Sequence, residues 1–208
     1  GQPLPALLHE HGRHSVVLYL GNPNVHNLSG QLYLPALIRM LGSHNIYSAS
    51  TLDQMPKHLA CGLMFGDPMS IPIPDLDRTQ YLLILGANPL VSNGSLMTAP
   101  NVGVRLKRIR QRGGKIVVVD PRRTRTADEA DEHHFIHPGS DAYFLLALVH
   151  TFFEEGLTRP GQFVDGIEEV AALAQAFSPE TVAESCAIEA GQIRRLAREL
   201  IEAPSAAV

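Results

Sequence analysis

Several things that would narrow the function at once are missing from this chain. It has no tryptophan and only two cysteines, Cys61 and Cys186. They stand far apart and outside any metal-type spacing, which excludes a disulfide framework and a structural zinc site. The longest apolar stretch, Ala142 to Val149, is far too short to span a bilayer. Basic residues are not in excess: 17 Lys and Arg against 21 Asp and Glu leave a formal net charge of −4. That balance speaks against non-specific binding to nucleic acid or to an anionic membrane. Gly1 to Ala6 lacks the basic and apolar regions of a signal peptide, and the expected compartment is the cytoplasm. Coiled-coil heptads, solenoid repeats and low-complexity tracts are absent. So are Gly-x-Gly-x-x-Gly after a strand and the Walker-type Gly-x-x-x-x-Gly-Lys-Ser/Thr, which argues against NAD and ATP. Ser92, Ser95 and Ser140 have no Gly-x-Ser-x-Gly context, so a hydrolase nucleophile finds no support.

What is present is a soluble globular composition, 45% hydrophobic and 18% charged, with length enough for one large or two small cores. The chain is organised around Tyr81 to Leu85, a short, wholly apolar run cut off at once by Gly86-Ala87-Asn88-Pro89. Such a run reads as a strand buried on both faces, as in a parallel sheet. Gly86 permits a sharp turn, Asn88 brings an amide that can donate and accept, and Pro89 stiffens the exit. Lys115 to Val119 is a second buried strand, with the strongest β-branched run in the chain. Ser15 to Leu20, Asn45 to Tyr47 and His134 to Ile136 read as further strands. Helical spacing covers Gln31–Leu41, a face of Met55, Leu59, Leu63 and Met64 within 51–65, and a basic stretch from Val102 to Arg112. A helix apolar nearly all round follows Ser140 to Glu154, with Ser140 as its expected N-cap. Three more helices are predicted at Ile167–Phe177, Pro179–Cys186 and Glu189–Glu202, and Gly66 to Asp77, with three prolines, is an irregular loop. The alternation predicts an α/β fold: mostly parallel sheet with helices on both faces, Rossmann-like but without the glycine fingerprint.

In such a sheet the turns Gly86–Pro89, Asp120–Thr124 and Pro138–Asp141 converge on one edge. Asp120 ends a strand, where a carboxylate commonly takes ribose hydroxyls, and Arg122 and Arg123 are placed to clamp phosphate. Asp141 opens a helix, where it either offsets the helix dipole or accepts the paired donors of a guanine edge. His9, His11 and His14, and His133, His134 and His137, form two clusters without zinc-enzyme spacing and read as surface or turn residues. Cys61 lies on an apolar helix and reads as buried. The basic helix reads as a solvated outer face.

Taken in order, Leu85-Gly86-Ala87-Asn88-Pro89, then Val119-Asp120-Pro121-Arg122-Arg123-Thr124 with Ala127 and Ala130-Asp131, then Pro138-Gly139-Ser140-Asp141 and a helix with His150, resemble the molybdopterin oxidoreductases of the dimethyl sulfoxide reductase and formate dehydrogenase class. Gly21-Asn22 and Gly42-Ser43-His44-Asn45 resemble the part of that family ahead of the metal loop. The resemblance implies molybdenum bis(molybdopterin guanine dinucleotide) as cofactor. It puts Gly21, Asn22, Gly86, Ala87, Asn88 and Pro89 on the pterin and diphosphate side. Asp120, Pro121, Arg122 and Thr124 fall by the guanosine, with Gly139, Ser140 and Asp141 at the guanine edge. Counting back from Gly66, it places the metal ligand on Asp53, whose alternative reading is a helix cap. A carboxylate ligand fits oxygen-atom transfer better than the thiolate-type formate dehydrogenase subtype.

The expected organisation is a partial α/β domain over residues 1–50 and a Rossmann-like dinucleotide-binding domain over 51–208. Both ends read as cut from a larger protein, with an iron–sulfur segment upstream and a cofactor-closing domain downstream. The expected partners are a small-molecule substrate, the missing domains and an electron-transfer subunit. The isolated chain is expected to show no turnover. Two other classes stay open at this point. One is a nucleotide-binding domain without redox chemistry, such as the central domain of a thiamine-dependent enzyme; the other is a scaffolding domain.

Overall fold

The computed structural model describes residues 3–21, 27–94 and 97–208, so Asn22 lies outside the described residues. The chain divides into two compact units, Gly1–Ile71 and Pro72–Val208. The division falls in the loop carrying Pro68, Pro72 and Pro74, later than the boundary expected after Ser50. Proline removes donors and resists regular structure, so few ladder or helix contacts can cross such a segment.

The first unit runs α1 (Leu4–His11), a 3₁₀ turn (Arg13–Ser15), β1 (Leu18–Leu20), α2 (Leu28–Leu41), β2 (Ile46–Ser48), α3 (Ser50–Asp53) and α4 (Met55–Phe65). β1 and β2 pair in parallel, Leu18 opposite Ile46 and Leu20 opposite Ser48. β1 is shorter than the predicted Ser15–Leu20 because Ser15 is held in the 3₁₀ turn, its hydroxyl donating to Gly12 O at 2.7 Å. α2 starts earlier than predicted, since Asn27 caps it by accepting from Gly30 N at 2.9 Å. Ser43 ties the two strands' flanks together, its hydroxyl donating to Val16 O at 2.6 Å. The predicted apolar helix breaks into α3 and α4, and Pro56 sits in the first turn of α4. Its residues Met55, Leu59, Leu63 and Met64 are exposed rather than core-facing, while Cys61 is buried as expected.

The second unit holds β3 (Tyr81–Leu85), α5 (Pro89–Ser92), α6 (Val102–Gln111), β4 (Lys115–Val119), α7 (Arg125–Asp128), β5 (Glu132–His134), α8 (Asp141–Glu154), α9 (Ile167–Ala174), α10 (Pro179–Cys186), α11 (Ala190–Glu202) and β6 (Ala206–Ala207). Its strands lie in the order β5-β4-β3-β6, all parallel. Alternate residues of β3 and β4 enter opposite cores, because successive side chains point to opposite faces. Tyr81, Leu83, Val117 and Val119 pack with Phe144, Leu148, Ile193 and Leu196 from α8 and α11. Leu82, Ile84, Ile116 and Val118 pack with Val102, Leu106 and Ile109 from α6. This is the predicted α/β architecture. β5 stops two residues short of the predicted Ile136, which leaves the ladder to enter the core against α8. α8 is central through Phe144, Ala147, Leu148 and Thr151, yet Tyr143 and Leu145 stay exposed. The basic α6 is more than a solvated face: it buries Val102, Leu106 and Ile109, and Arg112 just past its end donates to Leu76 O and Thr79 O, each at 2.9 Å.

The amino edge of this sheet carries a closed set of charges. Glu132 meets Lys115 at 2.5 Å, Arg195 at 2.7 Å and His134 at 3.0 Å. Glu199 meets Lys115 at 2.7 Å and Arg195 at 2.7 Å, and the Tyr81 hydroxyl donates to it at 3.1 Å. Arg195, then Lys115 and His134, hold the Glu132 carboxyl down at about 2, from an ordinary 4.5. A carboxyl that titrates lower when folded contributes stability above its unfolded value and loses it as pH falls toward the folded one. Denaturation midpoints are therefore expected to fall as pH drops from about 4.5 to about 2. Glu132→Gln should remove that part of the slope; an unchanged slope would show that Glu132 does not carry it.

Candidate functional site: the carboxyl edge of the four-stranded sheet

β3, β4 and β5 step outward in order, whereas β6 returns on the other side of β3. The direction of winding therefore reverses at β3, and open α/β sheets bind ligands at the carboxyl ends of strands beside such a point. The three predicted turns all leave this edge. The ladder runs on past the strands to tie them together. Gly86 N donates to Val119 O at 2.9 Å, and Asp120 N to His134 O at 3.1 Å.

Gly86 is exposed, with φ +58° and nothing within 4 Å of where a Cβ would stand. Gly139 has φ +84° and the same open space. The backbone at both turns is thus bare toward the edge. Ala87 is half-buried and packs against the α6 side of the core. Asn88 is half-buried too, and its Oδ1 accepts from Thr126 Oγ1 at 2.7 Å and Thr126 N at 3.3 Å. Pro89 opens α5.

Asp120 is buried. Its Oδ1 accepts from Arg122 N at 2.7 Å, an Asx-type turn that thrusts Pro121, Arg122 and Arg123 outward, all exposed. Arg123 is neutralised by Asp128 at 2.7 Å. The Arg122 guanidinium has no ion pair or hydrogen bond among the described residues. Thr124 is buried and caps α7, its Oγ1 accepting from Ala127 N at 3.2 Å.

Ser140 occupies the N-cap position of α8, but it does not cap as predicted. Its hydroxyl donates back to His137 O at 2.7 Å, so the first turn of α8 has no side-chain cap. Asp141, the first helical residue, is exposed, and its carboxylate has no partner among the described residues.

Among the described residues the edge therefore offers an unpaired guanidinium at Arg122, an unpaired carboxylate at Asp141 and open backbone at Gly86 and Gly139. Sequence reasoning missed two residues that shape it. Thr126 joins the turn after β3 to the start of α7. The Nε2 of His133 donates to Asp120 O at 3.1 Å, so His133 is held in β5 rather than free on the surface, while His134 lies in β5 as its predicted strand implied. Nothing local marked Thr126. Among the described residues no group of three or more His, Cys, Asp or Glu is arranged to hold a metal ion.

Asp53 and Gly21 belong to the first unit. Asp53 closes α3, and Gln54 rather than Asp53 is the N-cap of α4, where no side-chain cap bond forms. Gly21 follows directly on β1 and is exposed.

A parallel sheet wound outward and back, with bare backbone at two of the turns along one edge, is the arrangement in which open α/β sheets bind ligands. Residues 4–165 match the model of the molybdopterin oxidoreductases, and the chain belongs to that family. Formate dehydrogenase H of Escherichia coli (strain K12) is 30% identical over 193 residues, 90% of this chain and 26% of that protein. The thiosulfate reductase molybdopterin-containing subunit PhsA of Salmonella typhimurium is 29% identical over 94% of this chain and 24% of its own length. Among solved structures, acetylene hydratase from Pelobacter acetylenicus superposes with a TM-score of 0.71 at 26% identity, over 98% of this chain and 27% of that one. The chain thus spans about a quarter of the length of the curated relatives it matches. No helix among the described residues is long and apolar enough to cross a membrane.

The open space at Gly86 has a measurable consequence. A methyl group there meets no neighbour, so Gly86→Ala is expected to cost only the strain of a positive φ, about 1 kcal/mol. Chemical denaturation of the variant measures this, and a loss above about 3 kcal/mol would mean that the turn is packed and closed to ligand.

Proposed function

We propose that this chain is part of the catalytic subunit of a molybdenum- or tungsten-dependent oxidoreductase, and that its carboxyl edge holds the guanosine diphosphate half of molybdopterin guanine dinucleotide. Family membership favours this over a thiamine-dependent or purely scaffolding domain. The observation that carries the reading is the pairing of two unneutralised side chains of opposite sign, Arg122 and Asp141, with bare backbone at Gly86 and Gly139. A nucleoside diphosphate needs that set: donors and open space for its phosphates, and an acceptor for its base.

In this reading Gly86, Asn88 and Pro89 lie beside the diphosphate, with Ala87 holding their turn onto the core. Asp120 stands by the ribose, where the oxygen not engaged by Arg122 N accepts a hydroxyl. Arg122 neutralises phosphate, reaching out from the rigid turn set by Pro121 and Thr124. Gly139 and Ser140 bring the chain close to the base, and Asp141 accepts from guanine N1–H and the exocyclic amine together. Gly21 and Asn22, in the first unit, serve the pterin side. When bound, the cofactor supplies the metal at which two electrons, or an oxygen atom, pass to a small-molecule substrate. The chain's own part is to bind, orient and neutralise. The matched relatives bear the names of a dehydrogenase, a reductase and a hydratase, so the family alone selects no substrate. Further parts of the same protein and an electron-transfer subunit complete the proposed assembly. An iron–sulfur cluster belongs outside these residues, since Cys61 and Cys186 are both buried and sit in different units.

Asp141 should select guanine over adenine, because adenine N1 is an acceptor and meets a carboxylate with repulsion. Calorimetric titration of the cofactor-free protein is expected to give GDP an advantage over ADP of one to two orders of magnitude, from about 2–3 kcal/mol of charge-assisted hydrogen bonding. Asp141→Ala should erase the difference. Equal affinities in the parent protein would overturn this role.

Asp53 is proposed as the metal ligand, consistent with its carboxylate taking no part in capping α4. The full-length parent should contain molybdenum or tungsten with two pterin equivalents by metal and pterin analysis. Asp53→Asn should retain or weaken that load while turnover collapses. Near-normal turnover would exclude Asp53 as ligand, and a parent free of both metals would overturn the class.

A further inference from the structure

We infer that Thr126 is a positioning residue that turns the Asn88 amide so that its N–H donors, not its carbonyl, face the ligand edge. The inference rests on the proposed binding of a diphosphate at that edge and adds the device that makes Asn88 suited to it.

An asparagine amide can present either end, and the two ends differ only in their hydrogen-bond partners. Here the partners decide. Asn88 Oδ1 faces both the Thr126 backbone N, at 3.3 Å, and Thr126 Oγ1, at 2.7 Å. A backbone N–H can only donate, so the end turned toward it must be the oxygen. The hydroxyl agrees with this choice. Its oxygen accepts from Leu90 N at 3.2 Å, and its proton is available to donate to Asn88 Oδ1. Thr126 is 1% exposed, so water is poorly placed to substitute for any of these bonds. The result is a short relay, Leu90 N–H to Thr126 hydroxyl to Asn88 carbonyl, closed by the Thr126 N–H.

With its oxygen engaged, Asn88 has its Nδ2 hydrogens left over, and among the described residues they have no partner. Two donors beside the bare backbone of Gly86 suit an anionic oxygen and disfavour an amine. The same relay crosses from the turn after β3 to the first turn of α7, so it also holds the Gly86 turn against the Asp120–Thr124 turn. Thr126 itself need not touch the ligand.

The test uses the full-length protein purified from cells unable to make the pterin cofactor, titrated calorimetrically with GDP and with guanosine. Guanosine reports the base and ribose contacts alone. Thr126→Val, which keeps shape but removes the hydroxyl, is expected to weaken GDP about tenfold, the effect of one lost hydrogen bond, and to leave guanosine unchanged. Thr126→Ser should restore GDP binding. Asn88→Asp keeps an acceptor for Thr126 but replaces the donors with negative charge. It should weaken GDP at least as much, again with guanosine unchanged, and it keeps the question decidable if Thr126→Val does not fold. Unchanged GDP affinity in Thr126→Val or in Asn88→Asp would overturn the assignment. So would a parallel loss of GDP and guanosine, which marks a merely structural role. A parent protein that binds guanosine but gains nothing from the diphosphate would overturn the reading of the edge, and this assignment with it.

Discussion

The structure of the larger unit depends on β3 and β4 being buried on both faces at once. Tyr81 pairs with Lys115 and Leu85 with Val119, and between them the side chains alternate into two separate cores. A strand with two apolar faces cannot lie on a surface, so helices must cover it on both sides, and in a parallel sheet every crossover must return to the same end. The turns leaving the strands are thereby collected at one edge without any side chain having to draw them there. Placement of the candidate site is a by-product of how hydrophobic residues are distributed over ten positions.

The two edges of the sheet then differ in kind. At the amino edge Lys115, Glu132, Arg195, Glu199 and Tyr81 satisfy one another, and Asp131 holds the start of β4 by accepting from Ile116 N at 2.8 Å. At the carboxyl edge the strand ends are equally well tied by backbone bonds, yet among the described residues Arg122 and Asp141 have no hydrogen-bond or ion-pair partner. A protein stabilised throughout by its own pairs would have little left to offer a ligand. Here rigidity and availability are assigned to opposite ends of the same strands.

Much of this was legible in the sequence where a single local pattern decides the outcome. The apolar runs of β3 and β4, the glycines at 86 and 139, and the strand-end position of Asp120 needed no tertiary information. The reading failed where a distant partner decides. Ser140 looks like a cap from its neighbours, but His137 O takes its hydroxyl. Asn88 looks free to donate or accept until Thr126, 38 positions on, occupies its oxygen. Phe135-Ile136 looks like strand, yet Ile136 is drawn into the core against α8. In the first unit the apolar face of α4 follows helical spacing correctly and is nonetheless exposed, because periodicity tells which residues share a face and not what covers it.

The closing strand of the sheet has a consequence for the order of assembly. β3 takes β6 as its neighbour, with Ala206 opposite Tyr81, and Gln80 and Tyr81 donate to Ser205 O at 2.9 and 3.0 Å. Those partners are separated by most of the unit, so on the ribosome β3 and β4 can pair long before residue 205 has emerged. Until then β3 presents an open, apolar edge, the kind that captures strands from other chains. Ser205, Ala206 and Ala207, which contribute little to the core, cover the Tyr81–Leu82 part of that edge.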